Sequence, residues 1–307
     1  MNVGDMMEKL TIGSDEIRAH KNQYEDDFKI KNTTSFTEQV IDYFYTEQNS
    51  GKSLGLPKLD EGFLARPSEL TLVTGISGHG KTQILMQWVH SLSQNSKALI
   101  MSLEMRPEIT LARLCKIALG KNSTGAPPTE EFIRKYCKSK EEKIYIYDQT
   151  GVTNSDDVYA ACYYAKNILG CDFIVLDSLT KIDDVGEGQD AYDKQKHFVN
   201  SLASICRDIG IHMFLVCHLR KTEEDKPPTA QDIYGSSNIR NLCDNILLVY
   251  RNIPKQRKLA DPKIDDEDLK GVPDTIVYIQ KQRNFPYEGS FGFYFNKNSL
   301  TFHGSPV

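Results

Sequence analysis

The string Gly75-Ile76-Ser77-Gly78-His79-Gly80-Lys81-Thr82 carries the strongest chemical signal in this sequence. It matches G-x-x-x-x-G-K-[ST], follows the apolar run Leu70–Thr74 and opens a helix-like stretch, where a phosphate-binding loop belongs. Glycines let backbone N–H groups curl around phosphate oxygens, and the helix N-terminus adds partial positive charge. Gly75, Ser77, Gly78, Gly80 and Gln83 are therefore candidate nucleotide contacts. Lys81 would reach the β- and γ-phosphates of ATP or another NTP, and the Thr82 hydroxyl would take Mg²⁺. His79 also belongs to the candidate nucleotide loop and is expected to face solvent.

Other candidates fall at the ends of apolar runs. Asp177 closes Phe173-Ile174-Val175-Leu176, and a carboxylate at the tip of a buried strand stands on the ligand side of such a sheet, where Mg²⁺ is held. Glu104 follows Ala98–Met101. It could orient and deprotonate an attacking water, or serve as an acid at the start of the helix that Pro107 and Glu108 open. His218 follows His212–Val216 and could sense a γ-phosphate or simply pack. Lys281 and Arg283 alternate at a strand end and so share a face. They are either a surface charge pair or a finger reaching the nucleotide of an adjacent subunit.

The elements that must position these groups alternate in type. Strand candidates are Leu70–Thr74, Ala98–Met101, Ile144–Tyr147, Phe173–Leu176, His212–Val216, Ile246–Tyr250 and Ile276–Ile279; helical stretches are Thr82–Gln94, Glu108–Leu119, Ser155–Leu169 and Tyr192–Asp208. Buried β-rich runs alternating with helices predict an α/β fold with a mostly parallel sheet covered on both faces. Two late elements flanking Pro286-Tyr287-Glu288-Gly289 predict a C-terminal antiparallel hairpin. Upstream, Ser35-Phe36-Thr37-Glu38 reads as a capping box before a helix with Phe36, Val40, Ile41 and Phe44 on one face. That stripe must bury against its own core or in a neighbour's groove. Residues 1–34 read as a polar arm, 35–52 as this helix and 53–307 as one nucleotide-binding domain.

Composition bounds the partners. The chain has 307 residues, 39% hydrophobic and 26% charged, with 37 basic against 42 acidic residues and a formal net charge of −5. This excludes a protein that coats nucleic acid by bulk positive charge but leaves room for a local basic site. Seven cysteines, odd in number and never in a C-x-x-C pair, argue against a zinc ribbon or a secreted disulfide framework. The apolar runs are strand-sized, so no membrane span is expected.

Taken together, GISGHGKT, SLEM, FIVLDS, VCHL, DIYGSSNIRNLCDNILLVYRN and KQRN resemble, in order, the motifs of RecA-fold ring-shaped replicative DNA helicases of the DnaB and phage types. KQRN is similar to the DnaB version and VCHL to the phage version. The resemblance spans about Ser35 to His303. It implies Glu104 as general base, His218 as γ-phosphate sensor, and Arg283 as an arginine finger supplied in trans with Lys281 beside it. It also implies that Arg251 and Phe295 sandwich the base, and that the 36–44 helix docks on a neighbouring subunit. DNA would be held by 183–190 and 219–237, through Arg220, Lys221, Tyr234, Gly235, Ser236 and Ser237; Tyr234 stands where the family often has Arg. The implied protein is a homo-hexameric motor on single-stranded or forked DNA in a bacterial or phage-infected cell. Its cofactors would be ATP and Mg²⁺, and its partners a separate primase, a loader or a polymerase. A strand-exchange recombinase, a KaiC-like regulatory ATPase and a nucleotide-binding scaffold without turnover are the alternatives.

Overall fold

A computed structural model describes residues 32–45, 51–186, 191–219, 226–229, 232, 237–260 and 267–306. The chain divides into two compact units, Met1–Asn49 and Ser50–Val307. Within the first, helix α1 spans Thr37–Tyr45 behind a 3₁₀ turn at Thr33–Phe36. Its cap differs from the expected capping box. Asn32, not Ser35, supplies the capping oxygen, accepting the Ser35 N–H at 3.1 Å, because the tighter first turn moves the cap upstream. Phe36, Val40, Ile41 and Phe44 are exposed.

The second unit is one nine-stranded sheet. Its strands are β1 Leu70–Gly75, β2 Ala98–Ser102, β3 Ile144–Ile146, β4 Phe173–Asp177, β5 His212–His218, β6 Asn245–Arg251, β7 Thr275–Gln282, β8 Gly289–Asn296 and β9 Thr301–His303. They lie in the order β3-β2-β4-β5-β1-β6-β7-β8-β9. β1 to β6 run parallel, and β7, β8 and β9 are antiparallel to their neighbours. All seven expected strands and the C-terminal hairpin are present. The helices longer than four residues are α2 Lys81–Leu92, α3 Pro107–Leu119, α4 Glu130–Lys140, α5 Ser155–Asn167, α6 Ala191–Ile209, α7 Ser237–Leu242 and α8 Ile253–Leu259.

Strand alternation sends neighbouring side chains to opposite faces, so each face builds its own core. Val73, Val175, Phe214 and Val249 pack with Ile84, Trp88 and Leu114 under α2 and α3. Leu72, Ile174, Leu215 and Ile246 pack with Val158, Phe198 and Leu202 under α5 and α6. Nearly continuous burial of β1, β2, β4, β5 and β6 explains why these strands read as unbroken apolar runs. β9 is tied to α2 by side-chain amides: Gln87 donates to the Phe302 carbonyl at 3.0 Å and accepts its N–H at 2.7 Å. No helix among the described residues is long and apolar enough to cross a membrane.

Candidate nucleotide-binding site

Parallel strands deliver their C-terminal ends to one edge, and five of them bring candidate residues there: the loop after β1, Glu104 after β2, Asp177 on β4, His218 on β5 and Arg251 on β6. Gly75 stands in register with His218, and Ser102 with Asp177.

The loop needs its glycines for different reasons. At Gly75, φ is +151° and an added Cβ would lie 2.3 Å from the Val249 carbonyl oxygen, so only glycine lets β1 and β6 approach. Gly78, at φ +78°, faces open space where a phosphate would enter. Lys81 is buried at 6% exposure. Its Nζ donates to the carbonyls of Gly75 at 2.8 Å and Ile76 at 3.1 Å. Burial pushes its amine below the usual lysine range, opposed by the nearby Asp177 and Glu104 carboxylates.

Thr82 Oγ1 donates to Asp177 Oδ2 at 2.6 Å. Asp177 is 2% exposed, and burial raises its carboxyl while the Thr82 bond opposes. Two hard oxygen donors, Asp177 buried and Thr82 half-buried, in contact beside the phosphate loop, fit a divalent cation such as Mg²⁺. Glu104 Oε1 accepts from Ser178 Oγ at 2.8 Å and pairs with His218 Nε2 at 3.2 Å. The His218 bond holds the Glu104 carboxyl down at about 2, helped by Ser178 and opposed by burial. Both bonds fall on one oxygen; among the described interactions Oε2 has no partner, which leaves it for a ligand or water. Ser178 is a site residue that sequence reasoning missed; its place after Asp177 was visible, its partner was not.

His79 corrects an expectation. It is 4% exposed, its Nδ1 accepts the Arg251 N–H at 3.0 Å, and its ring lies 5.6 Å from that of Tyr250. Burial first, then the Lys81 and Arg251 charges, lowers the imidazole to about 4, so it is neutral at physiological pH and bolts the loop to β6. Gln83 is likewise engaged, donating to the Leu300 carbonyl at 2.7 Å. Arg251 is exposed and reaches Gln256 at 2.7 Å. The Phe295 ring packs 4.9 Å from Phe302, whose edge comes within 3.7 Å of a Cβ built on Gly80. Arg251 and Phe295 therefore both stand at the nucleotide edge.

Lys281 and Arg283 do not join this cluster. β7 runs antiparallel to β6, so Gln282 pairs with Asn245 and the two cations lie at the opposite edge of the sheet. The length of β1, from Leu70 to Gly75, separates the two edges by about 17 Å at ~3.3 Å per residue. Arg220, Lys221, Tyr234, Gly235 and Ser236 lie outside the described residues, as does the Ser237 side chain at the start of α7.

A phosphate loop on the central strand of a parallel sheet, with two carboxylates and a histidine on flanking strand tips, defines a RecA-like P-loop nucleotide-binding domain. Residues 51–304 match the family described as DnaB-like helicase C terminal domain, and the chain belongs to that family. It is 23% identical over 208 residues to a "DNA helicase/primase" of Enterobacteria phage T3, covering 61% of this chain and 36% of that protein. It is 22% identical over 289 residues to a "Replicative DNA helicase DnaB" of Rickettsia typhi, covering 82% of this chain and 58% of the relative. The chain thus spans less than two thirds of either relative. Among solved structures, an isolated ATPase domain superposes with a TM-score of 0.69 at 18% identity, over 89% of this chain and 99% of that one. "The Structure Of A DnaB-Like Replicative Helicase And Its Interactions With Primase" superposes at 0.68 with 17% identity, over 98% and 74%. These likenesses establish the fold.

Proposed function

We propose that this protein is an NTP-hydrolysing DNA helicase whose sites are shared between subunits of a hexameric ring translocating on single-stranded DNA. The observation that carries the reading is the separation just described. The phosphate loop, Asp177, Glu104 and His218 share one edge, while Lys281 and Arg283 of the same chain stand about 17 Å away at the other. That distance exceeds what an arginine spans, so the cations serve a site on another copy or none.

The backbone N–H groups of 75–82 hold the phosphates, and Lys81 leaves the carbonyls of Gly75 and Ile76 for the β- and γ-phosphate oxygens. Thr82 and Asp177 would hold Mg²⁺, which would supply charge neutralisation at the transferring phosphoryl group. Glu104, ionised and anchored through Oε1, orients the attacking water with Oε2. A carboxylate held near 2 is a weak base. That suits phosphoryl transfer through a loose transition state, where positioning matters more than early proton removal. His218, bonded to Glu104, lies where a γ-phosphate would compete for its Nε2–H. Arg283 from the neighbour stabilises the developing charge, and Arg251 and Phe295 hold the base.

The family membership and the names of the relatives support DNA unwinding, action inside a bacterial or phage-infected cell, and contact with a primase. α1 would dock on the neighbour, and residues 183–190 and 219–237 would face the strand. The test is NTPase with and without single-stranded DNA, alongside unwinding of a forked duplex, for wild type, Lys81→Ala and Arg283→Ala. DNA-stimulated hydrolysis and unwinding are expected in wild type alone, with partial recovery of hydrolysis when the two variants are mixed. NTPase indifferent to DNA, together with no unwinding, overturns the helicase reading.

A further inference from the structure

We propose that Asp244 is the positioning residue for the trans arginine, Arg283; this rests on the shared-site reading above. Asp244 is 4% exposed and every polar group it has is committed. Its N–H donates to the Leu70 carbonyl at 2.9 Å and its Oδ2 accepts the Leu70 N–H at 2.9 Å. Its carbonyl accepts the Arg283 N–H at 2.9 Å and its Oδ1 accepts from the Arg283 guanidinium at 3.1 Å. One residue therefore fixes both the main chain and the side chain of Arg283 against the start of the strand that carries the phosphate loop.

The two cations are held in different ways. A lysine ammonium has three donors, and Lys281 Nζ lies on the carbonyls of Cys243 at 2.6 Å, Arg240 at 2.8 Å and Asn241 at 3.4 Å. The Arg240 and Asn241 carbonyls are among those that the end of α7 leaves without intrahelical donors, where a cation is favoured, and Cys243 follows directly after the helix. Burial lowers the Lys281 amine, with the nearby Arg283 charge adding to it. Its donors are consumed inside its own chain. Arg283 has five donors in a rigid plane. Among the described residues only two of them have partners, Asp244 Oδ1 and the Asn241 carbonyl at 2.8 Å. Its side chain is 46% exposed, so the remaining donors point outward from a fork whose plane is already set. The next residue is anchored too: Asn284 Nδ2 donates to the buried Glu69 at 2.8 Å. An arginine clamped on one edge and open on the other is preorganised to meet an anion on a second molecule.

Asp244→Asn separates positioning from scaffolding. The amide oxygen can still cap the Leu70 N–H, but the NH₂ then faces the guanidinium, a donor against donors. Steady-state NTPase on single-stranded DNA is measured for this variant of the 307-residue chain, alone and mixed with Lys81→Ala. Alone, kcat should fall by about 10- to 100-fold, a part of the ~10³ or more that a whole finger supplies, with KM little changed. In the mixture it should partly recover, because a Lys81→Ala neighbour presents an Arg283 held by an intact Asp244. Asp244→Glu, which keeps the charge one methylene further out, should lose less and recover in the same mixture; it serves if the asparagine variant does not fold. Lys281→Gln should lower the melting temperature and affect kcat less than Arg283→Ala does. Wild-type kcat in Asp244→Asn overturns the proposal. So does a mixture that stays inactive while Arg283→Ala with Lys81→Ala recovers, since Asp244 would then act within its own subunit. If that control mixture also fails to recover, the shared site itself is refuted, and the proposal with it.

Discussion

Replacing Glu104 by Gln separates the charge of this residue from its shape. The amide keeps an oxygen for Ser178 and His218 and removes the anion that would face the water. The free carboxyl value of 4.5 drops to about 2 in the folded chain. Taken at face value, that shift corresponds to ~3 kcal/mol of stability. The side chains of Glu104 and His218 are 35% and 27% exposed, and solvent screening brings the figure to ~1 kcal/mol. A loss of that size lowers the melting temperature of a domain this large by about 2–4 °C. Because the folded value lies below the free one, the contribution is complete above pH 4.5 and fades as pH falls toward 2. The stability gap between wild type and variant should therefore stay constant from about pH 5 upward and close in acid. The rate responds differently: removing a group that orients and accepts from the nucleophilic water costs about 10²- to 10³-fold in kcat, or ~3–4 kcal/mol of barrier, with nucleotide affinity nearly unchanged. Steady-state NTPase, nucleotide binding and thermal melts on the same preparations measure all three quantities. A variant that melts as expected, binds nucleotide and keeps most of its kcat refutes the role assigned to Glu104.

Further outcomes follow from the geometry. Gly75→Ala places a Cβ 2.3 Å from the Val249 oxygen at a φ of +151°, which should cost about 2–3 kcal/mol in denaturant unfolding. Thr82→Val removes the hydroxyl bonded to Asp177; the gain in ADP affinity on adding Mg²⁺ should shrink by about 10-fold or more, while affinity in EDTA is unchanged. Phe214→Ala opens a void beneath the single tryptophan, Trp88, whose ring lies 5.6 Å away. It should destabilise by about 3–5 kcal/mol, followed through the tryptophan emission during unfolding.

The fold was legible where one physical constraint acts on consecutive residues. Gly75 to Thr82 is such a case, since a phosphate loop needs its glycines and lysine at fixed spacing. So are β1, β4 and β6, whose burial on both faces leaves runs of apolar residues. Helix α4 escaped because Glu130–Lys140 is dominated by charge, with only Phe132, Ile133 and Tyr136 to mark a face. Helix α7 and strand β9 are too short to show a period. His79 was expected outside because a glycine-rich loop is usually wet; its partner, the Arg251 N–H, lies 172 residues away and leaves no local trace. Neither Asp244 nor Ser178 stands out in the sequence, because neither belongs to a spaced motif or an apolar run. What each binds is decided by which strands become neighbours.

The placement of the phosphate loop and Arg283 on opposite edges also has a consequence for symmetry. Two copies related by a twofold axis bury the same patch on both, so an interface of that kind would pair each arginine edge with the other copy's nucleotide edge and end at two subunits. The proposed ring makes a head-to-tail contact instead, which repeats until it closes on itself or grows as a filament. An open arc always contains one fewer complete site than it has subunits, with an unserved nucleotide at one end and an unused arginine at the other. Closure alone makes the numbers equal. A single breach, such as one opened to admit a strand, silences the site at the gap without touching any residue inside it.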